Sequence, residues 1–158
     1  MYGRRVPKTH PRVEAYGAVD ELTAALGLVR ASTNDKLVTD NVYQVQKELI
    51  VVMGELATAA EDLDRYAKDG YHLTNSAMVD RIGAIIQDLE KDKSLYPKDW
   101  VIPGGNIVSS ALDLARTACR HSERRVAGLE NVNPEIMRYL NRLSDFCWIL
   151  ARYAEKHL

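Results

Sequence analysis

Apolar residues return along this chain at three- and four-residue intervals, and no segment alternates as a half-buried strand does. The spacing predicts a first helix from Val13 to about Ser32, with Val19, Leu22, Leu26 and Val29 along one side. Asn34 or Asp35 is placed to cap a long second helix reaching about Arg65. Its Val38, Val42, Val45, Leu49, Val52, Leu56 and Ala60 form a near-heptad stripe. Lys68-Asp-Gly-Tyr breaks the chain and Thr74 or Asn75 restarts it, with Met78, Ile82, Ile85 and Leu89 as the buried face of a third helix. Ser94 to Gly105, holding Pro97, Pro103 and a Gly-Gly pair, is the one long irregular stretch. A fourth helix follows and stops around Gly128. Pro134, well tolerated at a first helical position, opens a fifth with a seam of Ile136, Leu140, Leu143, Cys147, Leu150 and Ala154. Short connections between these elements predict a single all-α domain, an antiparallel five-helix bundle with mainly 3-4 ridge packing.

The fourth helix carries the densest chemistry, Arg116-Thr-Ala-Cys-Arg120-His-Ser-Glu123-Arg124-Arg125. At about 100° per residue, Arg116, Arg120 and Arg124 climb one face with Glu123 beside them. Ala111, Leu114, Ala118, Val126 and Leu129 then fall on the core side. Like charges one turn apart repel by a few tenths of a kcal/mol per pair, roughly. The ladder therefore persists most easily where an anion neutralises it. On spacing alone it fits two descriptions, a solvated face paired with carboxylates of a neighbouring helix, or a phosphate site using the bidentate fork of Arg. Arg125 projects near the middle of the apolar side, which predicts burial against a carboxylate or use at a subunit contact.

Composition narrows the classes. A chain of 158 residues with 46% hydrophobic and 27% charged residues suits one globular domain. A formal net charge of -1 supplies no basic field for nucleic acid, so the ladder is a local feature. No apolar run approaches a membrane span, and the first residues lack the apolar stretch of a signal peptide. Cys119 and Cys147 lie in separate helical patterns without CxxC spacing, as expected of reduced, packed thiols in a cytoplasmic protein.

Familiar catalytic motifs are missing. None of His10, His72, His121 and His157 follows a Glu by three, so a di-iron bundle is disfavoured. There is no P-loop, no dinucleotide glycine fingerprint and no zinc spacing. Three smaller constellations remain. Asp20-Glu21 sits mid-helix near a helix-weakening Gly17, which is tolerated where close packing or ligand access needs space. Trp100-Val-Ile-Pro-Gly-Gly puts a large aromatic just before a helix start, either as a core anchor or as a binding group. Asn141-Arg142-Leu143-Ser144-Asp145 is polar inside an apolar helix, and either satisfies Arg125 across the bundle or binds a ligand.

Taken in order, these segments resemble the PduO-type ATP:cob(I)alamin adenosyltransferases. The matching strings are Pro11-Arg-Val-Glu-Ala-Tyr-Gly-x-Val-Asp-Glu-Leu and Pro103-Gly-Gly. Ala115-Arg-Thr-x-Cys-Arg-x-x-Glu-Arg-Arg-Val follows, and then Tyr139-Leu-Asn-Arg-Leu-Ser-Asp with Leu150-Ala-Arg-Tyr-Ala. The resemblance implies a five-helix bundle assembled as a homotrimer. It implies transfer of the 5′-deoxyadenosyl group of ATP to the cobalt of a reduced corrinoid, cob(I)alamin, with release of triphosphate and with Mg²⁺ accompanying the nucleotide. A cobalt nucleophile would explain why no Ser or Cys attacker is present, since positioning, charge neutralisation and exclusion of water are what the protein then supplies.

Carried over position by position, the resemblance implies that Arg120 and Asn141 contact ATP and that Lys8 lies near the phosphates. It implies an Arg116–Asp20 salt bridge across the subunit boundary and assigns Glu123 and Arg124 to the same site. Trp100 stands where the family usually has Phe, an aromatic closing off the lower corrin face. His121 stands where relatives often have a second Arg. Family members open with a Thr-Lys/Arg-x-Gly-Asp-x-Gly-x-Thr loop that wraps the triphosphate and helps hold Mg²⁺, and this chain starts at the point matching its exit. Loss of that loop from the protein would leave a catalytically weak corrinoid- or ATP-binding module on the same fold. An adenosylcobalamin-dependent enzyme is the implied recipient of the product.

Overall fold

A computed structural model describes residues 2–158, and every regular element among them is helical. The helices are α1 (Pro11–Ala31), α2 (Lys36–Leu56), the short α3 (Leu63–Lys68), α4 (Ser76–Leu89), α5 (Ile107–Ala127) and α6 (Pro134–His157). Single 3₁₀ turns at Ala60–Asp62 and Lys93–Leu95 lie in the connections. Five long helices and one short one make the all-α bundle that the periodicity predicts.

Side-chain caps set most of the long-helix starts. The Asp35 carboxylate accepts from Val38 N–H at 2.9 Å, and Asn75 accepts from Met78 N–H at 3.3 Å. Asn106 and Ser109 form a reciprocal capping box at the head of α5. Asn133 caps α6 through Glu135 N–H, and its amide also donates to Thr74 O at 2.8 Å, which ties the α5–α6 turn to the start of α4.

The second helix ends at Leu56, short of the predicted Arg65, although no Gly or Pro lies between these two residues. A tertiary contact competes with propensity at this point. The Arg12 guanidinium donates to the carbonyls of Leu56 and Thr58, both at 3.3 Å, and so takes acceptors that a continuing helix would use. Ala60, predicted as the last residue of the stripe, is exposed in the 3₁₀ turn, while Val38 through Leu56 of that stripe are buried.

α5 is the central element and packs against both α1 and α6; α2 lies against α1, and α4 against α6. A buried polar cluster joins α2 to α4 and α6. Glu48 accepts from Arg81 Nε and Nη2, each at 2.7 Å, and from the Tyr139 hydroxyl at 2.7 Å. The predicted α6 seam is buried throughout.

The buried side of α5 includes the predicted Ala111 and Val126 but is rotated away from Leu114. It runs through Val108, Ala111, Leu112, Ala115, Cys119, Ser122 and Val126, and Leu114 is 53% exposed. Small and polar residues disguise that side in the sequence, since Ser109, Asp113 and Ser122 are buried along with the aliphatics. Arg125 is consequently exposed. It lies 3.9 Å from Glu14 of α1 and donates through Nε to His121 Nε2 at 3.2 Å, with no buried carboxylate partner.

Candidate functional site

The arginine ladder is resolved into separate arrangements along α5. Arg120 pairs with Glu123 one turn ahead, and the other oxygen of Glu123 accepts from the Asn141 amide of α6 at 3.3 Å. Three predicted site residues from two helices thus form one hydrogen-bonded group at the α5–α6 surface. Arg124 is exposed, and its side chain has no hydrogen bond or ion pair among the described residues. The like charges of the ladder are relieved locally, because carboxylates at i±3 serve Arg116 and Arg120. The polar run on α6 does not reach Arg125. Asn141 turns to Glu123, and Arg142 pairs with Asp145 at 3.3 Å.

Arg116 donates through Nε to Asp113 Oδ1 at 3.1 Å. Asp113 is only 4% exposed, and its second oxygen accepts from Arg152 at 2.7 Å. Asp20 is exposed on α1 and its side chain makes no ion pair or hydrogen bond among the described residues, so the chain does not bring Asp20 and Arg116 together by itself. Gly17, one turn before Asp20, borders open space that a Cβ could enter, so packing within the chain does not require it. Lys8 is exposed in the segment leading into α1, without a side-chain partner among the described residues.

Trp100 is 99% exposed, which rules out its role as a core anchor. It stands on the rim of an open cleft of about 690 Å³ whose walls include Trp148, Asp113, Arg116 and Arg152. The loop carrying it is closed by two glycines with different reasons. Gly104 adopts φ 125°, a conformation that L side chains rarely adopt, and a Cβ on Gly105 would meet Glu155 Oε1 at 2.8 Å. Arg116 therefore borders the Trp100 cleft and lies one helical turn from Arg120 and its group.

Sequence reasoning missed Trp148, Asp113 and Arg152 as walls of this cleft. Two signals were available: a carboxylate three residues before Arg116, and an arginine inside the apolar Leu150-Ala-Arg-Tyr-Ala string. Burial pushes the Cys147 thiol up to about 12 and raises Cys119 well above its ordinary value, so both stay protonated and inert as nucleophiles. Both cysteines are free. The described residues contain no group of three or more His, Cys, Asp or Glu placed to hold a metal ion, and no helix is long and apolar enough to cross a membrane.

Comparison with known proteins places this arrangement among relatives. The family model described as cobalamin adenosyltransferase matches residues 1–154. The corrinoid adenosyltransferase PduO of Salmonella typhimurium is 38% identical over 95% of this chain, which spans 44% of that relative's length. A corrinoid adenosyltransferase of Citrobacter freundii is 37% identical over 97% of this chain and 86% of its own. A variant of the PduO-type ATP:corrinoid adenosyltransferase from Lactobacillus reuteri, complexed with cobalamin and ATP, superposes with a TM-score of 0.88 at 30% identity, covering 98% of this chain and 84% of that one.

Proposed function

This chain belongs to the cobalamin adenosyltransferase family, and from that premise we propose that it transfers the 5′-deoxyadenosyl group of ATP to the cobalt of a reduced corrinoid, cob(I)alamin, releasing triphosphate. One observation carries the assignment. Arg116 joins an open, aromatic-rimmed cleft to the hydrogen-bonded group of Arg120, Glu123 and Asn141 one turn further along. Two substrates that must meet at a carbon–cobalt distance need adjoining subsites of this kind.

In this reading the corrinoid lies against Trp100, whose full exposure leaves an indole face available to cover an apolar macrocycle. The triphosphate lies along Arg120 and Arg124, with Asn141 and Lys8 as further donors. Arg120 has two functions: Glu123 holds it in place, and its remaining N–H groups neutralise charge that grows on the leaving oxygen. A corrinoid supplies its own nucleophilic metal as substrate, so the protein's tasks are to orient, to neutralise and to exclude water. Mg²⁺ would enter with ATP and be carried chiefly by the phosphate oxygens, since this ion is commonly held by substrate phosphates with one or two carboxylates.

We place the complete site between adjacent subunits of a homotrimer, with Asp20 of one subunit pairing to Arg116 of the next. Three features support this. Among the described residues Asp20 is unpaired and Arg116 keeps both Nη groups without a partner, and Leu28, Ile107 and Leu114 leave an exposed apolar depression beside Gly104. The buried, protonated thiols suit a reducing cytoplasm, where an adenosylcobalamin-dependent enzyme would receive the product. The deciding experiment is anaerobic turnover of the full-length protein with ATP, Mg²⁺ and chemically reduced cobalamin. Conversion to light-sensitive adenosylcobalamin is the expected result, and no conversion rejects the proposal.

A further inference from the structure

The floor of the Trp100 cleft contains a charged pair with no evident stabilising purpose. Asp113 and Arg152 are 4% and 3% exposed, and they meet at 2.7 Å. Buried ion pairs seldom outperform a packed apolar pair of the same volume, because desolvation offsets their attraction. This pair is also incompletely satisfied. Arg152 Nε and Nη1 are buried without a hydrogen-bond partner, and Nη2 alone serves both Asp113 and, at 3.2 Å, Glu155. A device kept in spite of those costs has a directional use, and the direction is visible. The one Asp113 oxygen that Arg152 leaves free accepts from Arg116 Nε at 3.1 Å.

We propose that Asp113, locked by Arg152, is the positioning residue that aims the Arg116 guanidinium into the site. A hydrogen bond at Nε fixes the plane of the guanidinium and leaves both Nη groups on its outer edge. There they form a fork suited to a carboxylate or phosphate. Arg116 has no other hydrogen bond or ion pair among the described residues. Without Asp113, its long side chain would sample several rotamers at the junction of the two proposed subsites. The inference rests on the adenosyl-transfer reading for its consequence, though the anchor itself can be observed without turnover.

The test neutralises both buried charges together, so that neither is left alone in the core. Full-length protein carrying Asp113→Asn with Arg152→Gln is compared with wild type by thermal melting and by kcat/KM for ATP. A folded double variant should lose about 10- to 100-fold in kcat/KM, the range that misplacement of a reacting geometry produces. Introduced on Arg116→Ala, the same pair of changes should alter kcat/KM by less than about twofold, because the residue it positions is already gone. Unchanged turnover in the folded variant overturns the proposal, and so does an equal loss on Arg116→Ala. Should the variant not fold, the wild-type proton–nitrogen spectrum decides. The Arg116 Nε–H signal, assigned by its absence in Arg116→Lys, should exchange slowly with water. Exchange as fast as that of an exposed arginine contradicts the anchor. A protected signal in a protein that transfers no adenosyl group keeps the anchor and rejects the functional reading instead.

Discussion

Glu123 is the residue on which the proposed nucleotide cluster turns. It holds Arg120 from the same helix and Asn141 from the next, so one carboxylate sets the position of two proposed ATP donors. As a surface pair it contributes little stability, on the order of 0–1 kcal/mol. Its value is preorganisation. Replacing Arg120 should remove the proposed charge-assisted contact to phosphate, a loss of about 1.5–3 kcal/mol or roughly 10- to 150-fold in affinity. Titration calorimetry of Arg120→Ala with ATP should show that weakening while the melting curve stays close to wild type. An unchanged affinity would mean that the ladder does not contact nucleotide. Much of this cluster was readable in the sequence, because i,i+3 and i,i+4 spacing puts Arg116, Arg120, Glu123 and Arg124 on neighbouring positions. Asp113 was not readable as a buried partner, since a carboxylate in an amphipathic pattern normally reads as exposed.

At the scale of elements, the bundle depends on polar contacts that periodicity does not report. The core side of α5 keeps the expected Ala111 and Val126 but turns away from Leu114 toward Ala115, Cys119 and Ser122, residues of weak hydrophobic signal. That shift removes Arg125 from the core and gives it Glu14 as a surface partner. α2 stops early where the Arg12 guanidinium takes its last carbonyl, that of Leu56, and the Thr58 carbonyl beyond it as acceptors, the first contact spanning 44 residues of sequence. The Glu48 cluster is a third case, since it binds α2, α4 and α6 through Arg81 and Tyr139. Burial and the neighbouring Glu48 raise the Tyr139 hydroxyl well above its ordinary range, so it remains a donor at any physiological pH. Glu48→Gln breaks the pair and leaves Arg81 without its carboxylate. Because Arg81 is part-exposed, the loss on urea unfolding should be about 1–3 kcal/mol, below the cost of breaking a fully buried pair. A change below about 1 kcal/mol would mean that these helices are held by apolar packing alone.

For the whole molecule, the exposed apolar side chains matter more than the buried ones. Trp100, Ile102, Ile107 and Leu114 are all more than half exposed around one end of α5, close to the residues proposed to act. In the proposed assembly, part of that surface faces a second copy of the chain. Leu114→Asp puts a charge there without touching the core, and sedimentation should then show single chains where wild type shows three. A variant of unchanged mass would place the subunit contact elsewhere. The bundle and its helix order were legible from the hydrophobic pattern, whereas the proposed pairing of Asp20 with Arg116 came only from the family resemblance, because a contact between chains would leave no periodicity in one of them.

The central claim is that the ribose carbon of ATP moves to cobalt while the three phosphates leave together. Phosphorus NMR of an anaerobic reaction of the full-length protein with ATP and reduced cobalamin reads this directly. The account predicts intact triphosphate, formed in equal amount to adenosylcobalamin. Orthophosphate or pyrophosphate as the primary product, or nucleotide consumption without a new carbon–cobalt bond, would contradict it.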